Sequence, residues 1–275
     1  MENLILLCTV MLCLGISLSF AQGDESLRHG AEASLGLVRG VNKLHDWQAS
    51  PMQYFTNYNG LTGDYKRITK KNLWYFGFEA GLGDMLAPEL GKRQFRIDEG
   101  DETFYLVPTL YKGELFAQFL RKISDQAVKS SYVGFKIQDS FFYADGLAMN
   151  IWTMNLLEVA AKYAYVRNFG KRHQVEGNIS LPIIASIARM PFSNVVSQPD
   201  KSQSRAFLAG AEWGFLGRYV HPEIGLNYQY QISKRNSIRF NYQYQWLSYD
   251  KPRSIRMSDH QIGLAYVYQF QFSKW

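Results

Sequence analysis

Residues 261–272 alternate strictly. Ile262, Leu264, Tyr266, Tyr268, Phe270 and Phe272 fall on one face, and Gln261, Gly263, Ala265, Val267, Gln269 and Gln271 on the other. A repeat of two is that of a β-strand, whose successive side chains point to opposite sides of the pleat. One face is apolar and increasingly aromatic; the other is small or polar. That suits a strand with lipid outside and a polar lumen inside, and it reverses the pattern of a soluble barrel. Four further stretches repeat it. Trp74, Phe76, Phe78, Ala80 and Leu82 oppose Tyr75, Gly77, Glu79, Gly81 and Gly83; Leu157, Val159, Ala161, Tyr163 and Tyr165 oppose Glu158, Ala160, Lys162 and Ala164. Ile224, Leu226, Tyr228, Tyr230 and Ile232 oppose Glu223 and a run of Gly, Asn and Gln; Ile238, Phe240, Tyr242, Tyr244 and Trp246 oppose Arg239, Asn241, Gln243 and Gln245. The expected fold is all-β: a transmembrane, antiparallel, up-and-down β-barrel.

Other stretches are weaker. Residues 30–41 alternate moderately, and 102–111 do so with Pro108 against a central position. Val175, Ile179, Leu181 and Ile183 oppose Glu176, Asn178 and Ser180, and Ala209, Ala211, Trp213 and Phe215 oppose Gly210, Glu212 and Gly214. Residues 42–50, 84–101, 139–150, 190–203 and 250–258 read as loops. In 113–130, Leu115, Phe116, Phe119, Leu120 and Ile123 recur at helical spacing, which fits a short amphipathic helix or a strand pair in distorted register. The count is ten to twelve strands, and twelve is chosen from the even-number rule. Twelve strands carry a conflict: counting back from the last one puts the long 190–203 loop on the side of the short turns.

Residues 4–20 form an apolar run ahead of Ala21, and the reading is a signal peptide (1–21) cleaved after Ala21, with a barrel domain over 22–275. Both cysteines, Cys8 and Cys13, lie within it, so the mature barrel has no thiol for a disulfide, a zinc site or a nucleophile. Losing Glu2 leaves 23 acidic residues against 30 basic ones. The basic runs Lys66-Arg67, Lys70-Lys71, Lys171-Arg172, Lys234-Arg235 and Lys251-Pro252-Arg253 sit at expected breaks, where they suit turn solubility or contact with lipopolysaccharide phosphates. Nothing in the pattern favours nucleic acid.

Gln261, Gly263, Tyr266 and Tyr268 carry a resemblance. A polar residue, a Gly two on, and two aromatics spaced by two resemble the closing-strand signal of Gram-negative outer-membrane barrels. The Tyr-, Asn- and Gln-rich texture resembles small barrels of Bacteroidota. The resemblance implies an outer-membrane location and recognition of the closing strand by the assembly machinery, with outer-membrane lipid and lipopolysaccharide as surroundings.

Candidate chemistry is concentrated on the inward faces. Glu79, Glu158, Lys162, Glu176, Glu212, Glu223 and Arg239 are expected in the lumen, where they either pair and plug the barrel or line a solute path. None of the five histidines has a Ser two residues later, as lipid-facing barrel hydrolases do, and His45-Asp46 and Asp259-His260 read as loop pairs. No catalytic residue, metal site or cofactor is expected. Three functions remain: a narrow channel or small-ligand transport barrel, a plugged structural or interaction barrel whose basic loops bind lipopolysaccharide or a partner protein, and, behind these, a lipid-acting enzyme.

Overall fold

The computed structural model describes residues 30–89, 93–95, 104–126, 128–147, 150–190, 200 and 202–270. The expected signal peptide with its cleavage point, and strand positions 271–272, lie outside the described residues.

The chain runs through β1 (Gly30–Asp46), β2 (Gln53–Ile68), β3 (Asn72–Leu86), β4 (Arg93–Phe95), β5 (Phe104–Leu106), β6 (Thr109–Gln126), β7 (Lys129–Leu147), β8 (Asn150–Phe169) and β9 (His173–Arg189). A short helix α1 (Gln203–Ala209), β10 (Glu212–Phe215), β11 (Tyr219–Val220), β12 (Glu223–Gln231), β13 (Asn236–Tyr249) and β14 (Ile255–Phe270) follow. Ten strands close an antiparallel ring, β1-β2-β3-β6-β7-β8-β9-β12-β13-β14, and β14 pairs back onto β1 from Ala31↔Phe270 to Asp46↔Ile255. The chosen count of twelve is therefore corrected to ten. Strands β10 and β11 belong to the same sheet but cover only one end of β9 and β13, and β4 and β5 form a separate hairpin.

The expected strand around Trp213 is one of the two surplus strands; the other came from rounding up to an even number. Ser202 caps α1 there, accepting from the Arg205 amide at 3.4 Å, and the four-residue β10 ends before Gly217, which turns at φ 102°. Among the described residues, no strand between Arg189 and Glu223 spans the ring, and β9 is followed in it by β12. With that strand removed the topological conflict disappears. The strand ends Ile68 and Asn72, Gln126 and Lys129, Phe169 and His173, and Gln231 and Asn236 lie at one end of the barrel with Gly30 and Phe270; Asp46 and Gln53, Leu86 and Thr109, Leu147 and Asn150, Arg189 and Glu223, and Tyr249 and Ile255 lie at the other.

Of the two readings of 113–130, the helix is corrected and the strand pair holds: β6 and the start of β7 occupy this stretch, with a register shift between Lys122 and Ser124. Leu115, Ala117 and Phe119 point out, while Phe116 and Leu120 point in, Leu120 packing with Leu73, Tyr132, Ala164 and Val166. Apolar residues on both faces of one strand imitate helical spacing.

Two regimes are stacked along the barrel. Toward the turn end, Leu35, Leu37, Leu61, Trp74, Phe76, Phe78, Ile179, Ile224, Leu264 and Tyr266 are exposed on the outer face, forming an apolar belt. On β14 the belt runs from Ile262 to Phe270, which at ~3.3 Å per residue and a tilt near 40° covers roughly 20–25 Å, the height of a lipid-facing band. Toward the loop end the pattern inverts. There β14 points Ile255 and Met257 inward and Arg256, Ser258 and His260 outward. β8 likewise points Trp152, Met154 and Leu156 inward and Thr153 and Asn155 outward. The inversion is why 42–46 and 139–147, expected as loop, are strand.

Candidate functional site in the barrel lumen

The loop-end half of the lumen holds a buried apolar cluster. Leu44, Tyr54, Met85, Leu110, Phe142, Trp152, Met154, Leu156, Ile187, Tyr219, Leu247, Ile255 and Met257 form one buried cluster contributed by strands all around the ring. Phe142 and Trp152 pack at 6.3 Å between ring centroids, and Tyr219 meets Tyr249 edge-on at 6.1 Å. At the mouth of this cluster, Asp46 accepts hydrogen bonds from Trp152 Nε1 (2.9 Å) and the Gln48 amide (2.9 Å) and pairs with Arg189. The expectation that His45-Asp46 and Asp259-His260 are loop pairs is corrected: both aspartates are buried on strand inner faces, and both histidines face outward.

Below the cluster the lumen is polar and crossed by ion pairs. Lys112 Nζ lies 3.0 Å from both Glu79 and Asp259; Tyr58 donates to Asp259 at 2.9 Å, and Gln261 Nε2 to Glu79 at 2.8 Å. Lys136 reaches Glu223 at 2.6 Å and Glu114 at 3.6 Å, and Lys162 reaches the other Glu223 oxygen at 3.5 Å. Nearer the turn end, Arg239 spans Asp64 (3.1 Å) and Glu32 (3.4 Å), and Lys66 meets Glu176 at 2.8 Å. Strand alternation places all of these on inner faces, and the pairing answers the high cost of a lone charge in a low-dielectric interior. A cavity of about 80 Å³ remains among Asp64, Tyr75, Glu114, Lys162, Glu176, Asn178 and Arg239. It has room for a few water molecules.

Of the expected lumen residues, Glu79, Glu158, Lys162, Glu176, Glu223 and Arg239 point inward, and the structure joins all but Glu158 to cations or carboxylates of this network. Glu212 stands apart from this network: it lies on the short β10 opposite Ile187, exposed at the loop-end rim, where Tyr249 donates to it at 2.9 Å. Glu158 stands at the boundary between the two regimes, where it accepts from Tyr219 and lies 3.0 Å from His221 Nδ1. His221 sits between β11 and β12, and its Nε2 is buried without a partner among the described residues. Burial lowers the pKa of that imidazole, but the adjacent Glu158 carboxylate more than offsets this, so the net direction is up.

Sequence reading missed Glu32, Tyr58, Asp64, Lys66, Lys112, Glu114, Lys136, His221 and Asp259. Lys112 and Glu114 carry the signal that could have found them, being two apart on one strand face. Among the described residues no group of three His, Cys, Asp or Glu is arranged to hold a metal ion.

A closed barrel with an apolar waist and paired internal charges has the fold of an outer-membrane barrel. The outer-membrane protease OmpT from Escherichia coli superimposes with a TM-score of 0.53 at 10% identity, covering 90% of this chain and 100% of that one. The transport unit of the autotransporter AIDA-I from Escherichia coli (13% identity, 96% and 97% coverage) and the COG4313 outer membrane channel from Pseudomonas putida F1 (10%, 92% and 100%) each align with a TM-score of 0.44. These likenesses concern the fold. No protein-family model matches the chain, and no curated sequence matches it.

Proposed function

We propose that this is an outer-membrane barrel with a closed lumen, which works through what its outer surface and loops bind and not by passing solutes. The observation that carries the reading is the buried cluster around Phe142, Trp152, Met154 and Met257, which fills the loop-end lumen from wall to wall. The short turns then face the periplasm and the long connections the exterior, the usual arrangement for such barrels. The chain is exported through a cleaved signal peptide, and Gln261, Gly263, Tyr266 and Tyr268 on β14 mark the closing strand for the assembly machinery. The strand texture favours a Bacteroidota source.

Planar-bilayer recording tests the closed lumen. The expected result is no single-channel steps from the folded protein; steady steps would overturn it. The narrow-channel reading has one observation in its favour, the polar cavity beside Glu114, Glu176 and Lys162, where carboxylates outnumber cations. In that reading the apolar cluster moves aside, the path prefers cations, and Glu176→Gln changes the selectivity.

A further inference from the structure

We propose that the outer face of β1 and β14, just above the apolar belt, binds the phosphate groups of a glycolipid in the outer leaflet. The side assignment made above underlies this proposal.

Arg39 and Lys43 on β1, and Arg256 and His260 on β14, are all exposed and all point outward. The register sets them side by side. Val41 pairs with His260 and Lys43 with Ser258, so Lys43 is diagonal to both His260 and Arg256, while Arg39 is diagonal to His260 from below. Diagonal neighbours across a strand pair are roughly 7–8 Å apart, close enough for long cationic side chains to share one phosphate. His45 stands directly opposite Arg256 and extends the patch toward the loops.

No carboxylate among the described residues pairs with Arg39, Lys43 or Arg256. The described outward positions of β12, β13, β14, β1 and β2 carry no Asp or Glu. On other strands, the outward positions above the belt instead bear Asp84 on β3 and Asp139 on β7, the latter accepting from Asn155 at 2.6 Å. Among the described outward strand positions above the belt, positive charge is thus confined to one sector.

Rings frame the patch. Lys43 Nζ lies 5.3 Å above the Phe55 ring, the Tyr244 and His260 rings lie 4.6 Å apart, and Tyr242 OH bonds His260 Nδ1 at 3.0 Å. Aromatic side chains favour the headgroup level of a membrane. Immediately below, Leu37, Ile262 and Leu264 are exposed in the belt. A ligand with acyl chains against those three residues and phosphate at the cations fits the continuous surface, which selects a phosphorylated lipid over a soluble anion. Four of the five basic runs noted in the sequence lie at the turn end, away from this leaflet, so the patch and not those runs meets the phosphates.

The test uses the folded full-length protein in micelles, with lipid A bearing its phosphates, enzymatically dephosphorylated lipid A, and inorganic phosphate as probes. Native mass spectrometry counts bound lipid, and the heat-modifiable gel band confirms that each variant is folded. Phosphorylated lipid A is expected to bind, Arg39→Gln/Lys43→Gln/Arg256→Gln to weaken it at least tenfold, and Arg121→Gln/Arg167→Gln, near the turn end, to leave it unchanged. Should the triple variant not fold, Lys43→Gln and Arg256→Gln singly are each expected to weaken binding about threefold. Equal binding of dephosphorylated lipid, unchanged binding by the patch variants, or saturation by inorganic phosphate alone would overturn the proposal. Conductance separates this from the closed-lumen reading: a conducting barrel that keeps its lipid loses only the latter, and a silent barrel that fails these arms loses only the former.

Discussion

Lys112 on β6 and Asp259 on β14 meet at 3.0 Å across the lumen, with side chains 1% and 0% exposed, joining strands that are not neighbours in the ring. Glu79 shares the same ammonium at 3.0 Å. Removing the cation leaves two carboxylates facing each other, whereas removing Asp259 leaves Lys112 paired with Glu79. Lys112→Met is therefore expected to cost about 3–5 kcal/mol and Asp259→Asn less. Denaturant titration of the folded barrel in micelles checks the order; equal losses would mean the three groups do not share one cation.

Tyr58 owes its position to glycine. Its ring occupies the space where Gly40 and Gly81 would carry a Cβ, and from there its hydroxyl reaches Asp259. Gly40→Ala drives the ring out of that site and is expected to destabilise by about 1–3 kcal/mol. Gly113→Ala, whose Cβ meets nothing within 4 Å, serves as the control in the same titration.

The apolar cluster makes a clear contrast with the belt. Phe142→Ala opens a void in a packed interior and is expected to cost about 3–5 kcal/mol. Leu37→Ala, at a site 66% exposed on the belt, removes lipid contact only and is expected to shift stability far less. The temperature at which the SDS-resistant band disappears reads both.

His221 adds a pH dependence. Its raised folded-state pKa means protons are held more tightly in the native barrel than in the unfolded chain. The stabilisation from the Glu158–His221 pair is complete below the unfolded imidazole value and is lost as pH rises through the folded one. Band stability is expected to fall over that alkaline step and His221→Gln to flatten it. A step of undiminished size in His221→Gln would assign it to another group.

What was legible in the sequence follows from which rule each strand obeys. Strands such as β14 and β13 spend most of their length in the belt, where water inside and lipid outside enforce one pattern, and that pattern is readable residue by residue. β7 follows that pattern from Tyr132 to Gln138. Beyond it Phe142 and Ala144 turn inward into the apolar cluster, and a reader expecting apolar residues outside sees irregularity. β6 was hidden for a related reason, since Phe116 and Leu120 pack inside while Leu115 and Phe119 face lipid. The inward carboxylates Glu79, Glu158, Glu176 and Glu223 were readable from alternation alone, whereas the alternation around Glu212 did not show that its strand is only four residues long and ends at the rim.

By itself, then, the sequence determined the period-two strands, the lipid-facing belt and the burden of inward charge, because these depend only on a residue's neighbours along one strand. Tertiary structure alone decided the ring of ten, the end of the barrel at which β9 stops and β12 begins, and the pairing of Lys112 with Asp259. It also brought Arg39, Lys43, Arg256 and His260 into one patch. Each of these depends on register between strands, and register is fixed by the closure of the barrel as a whole.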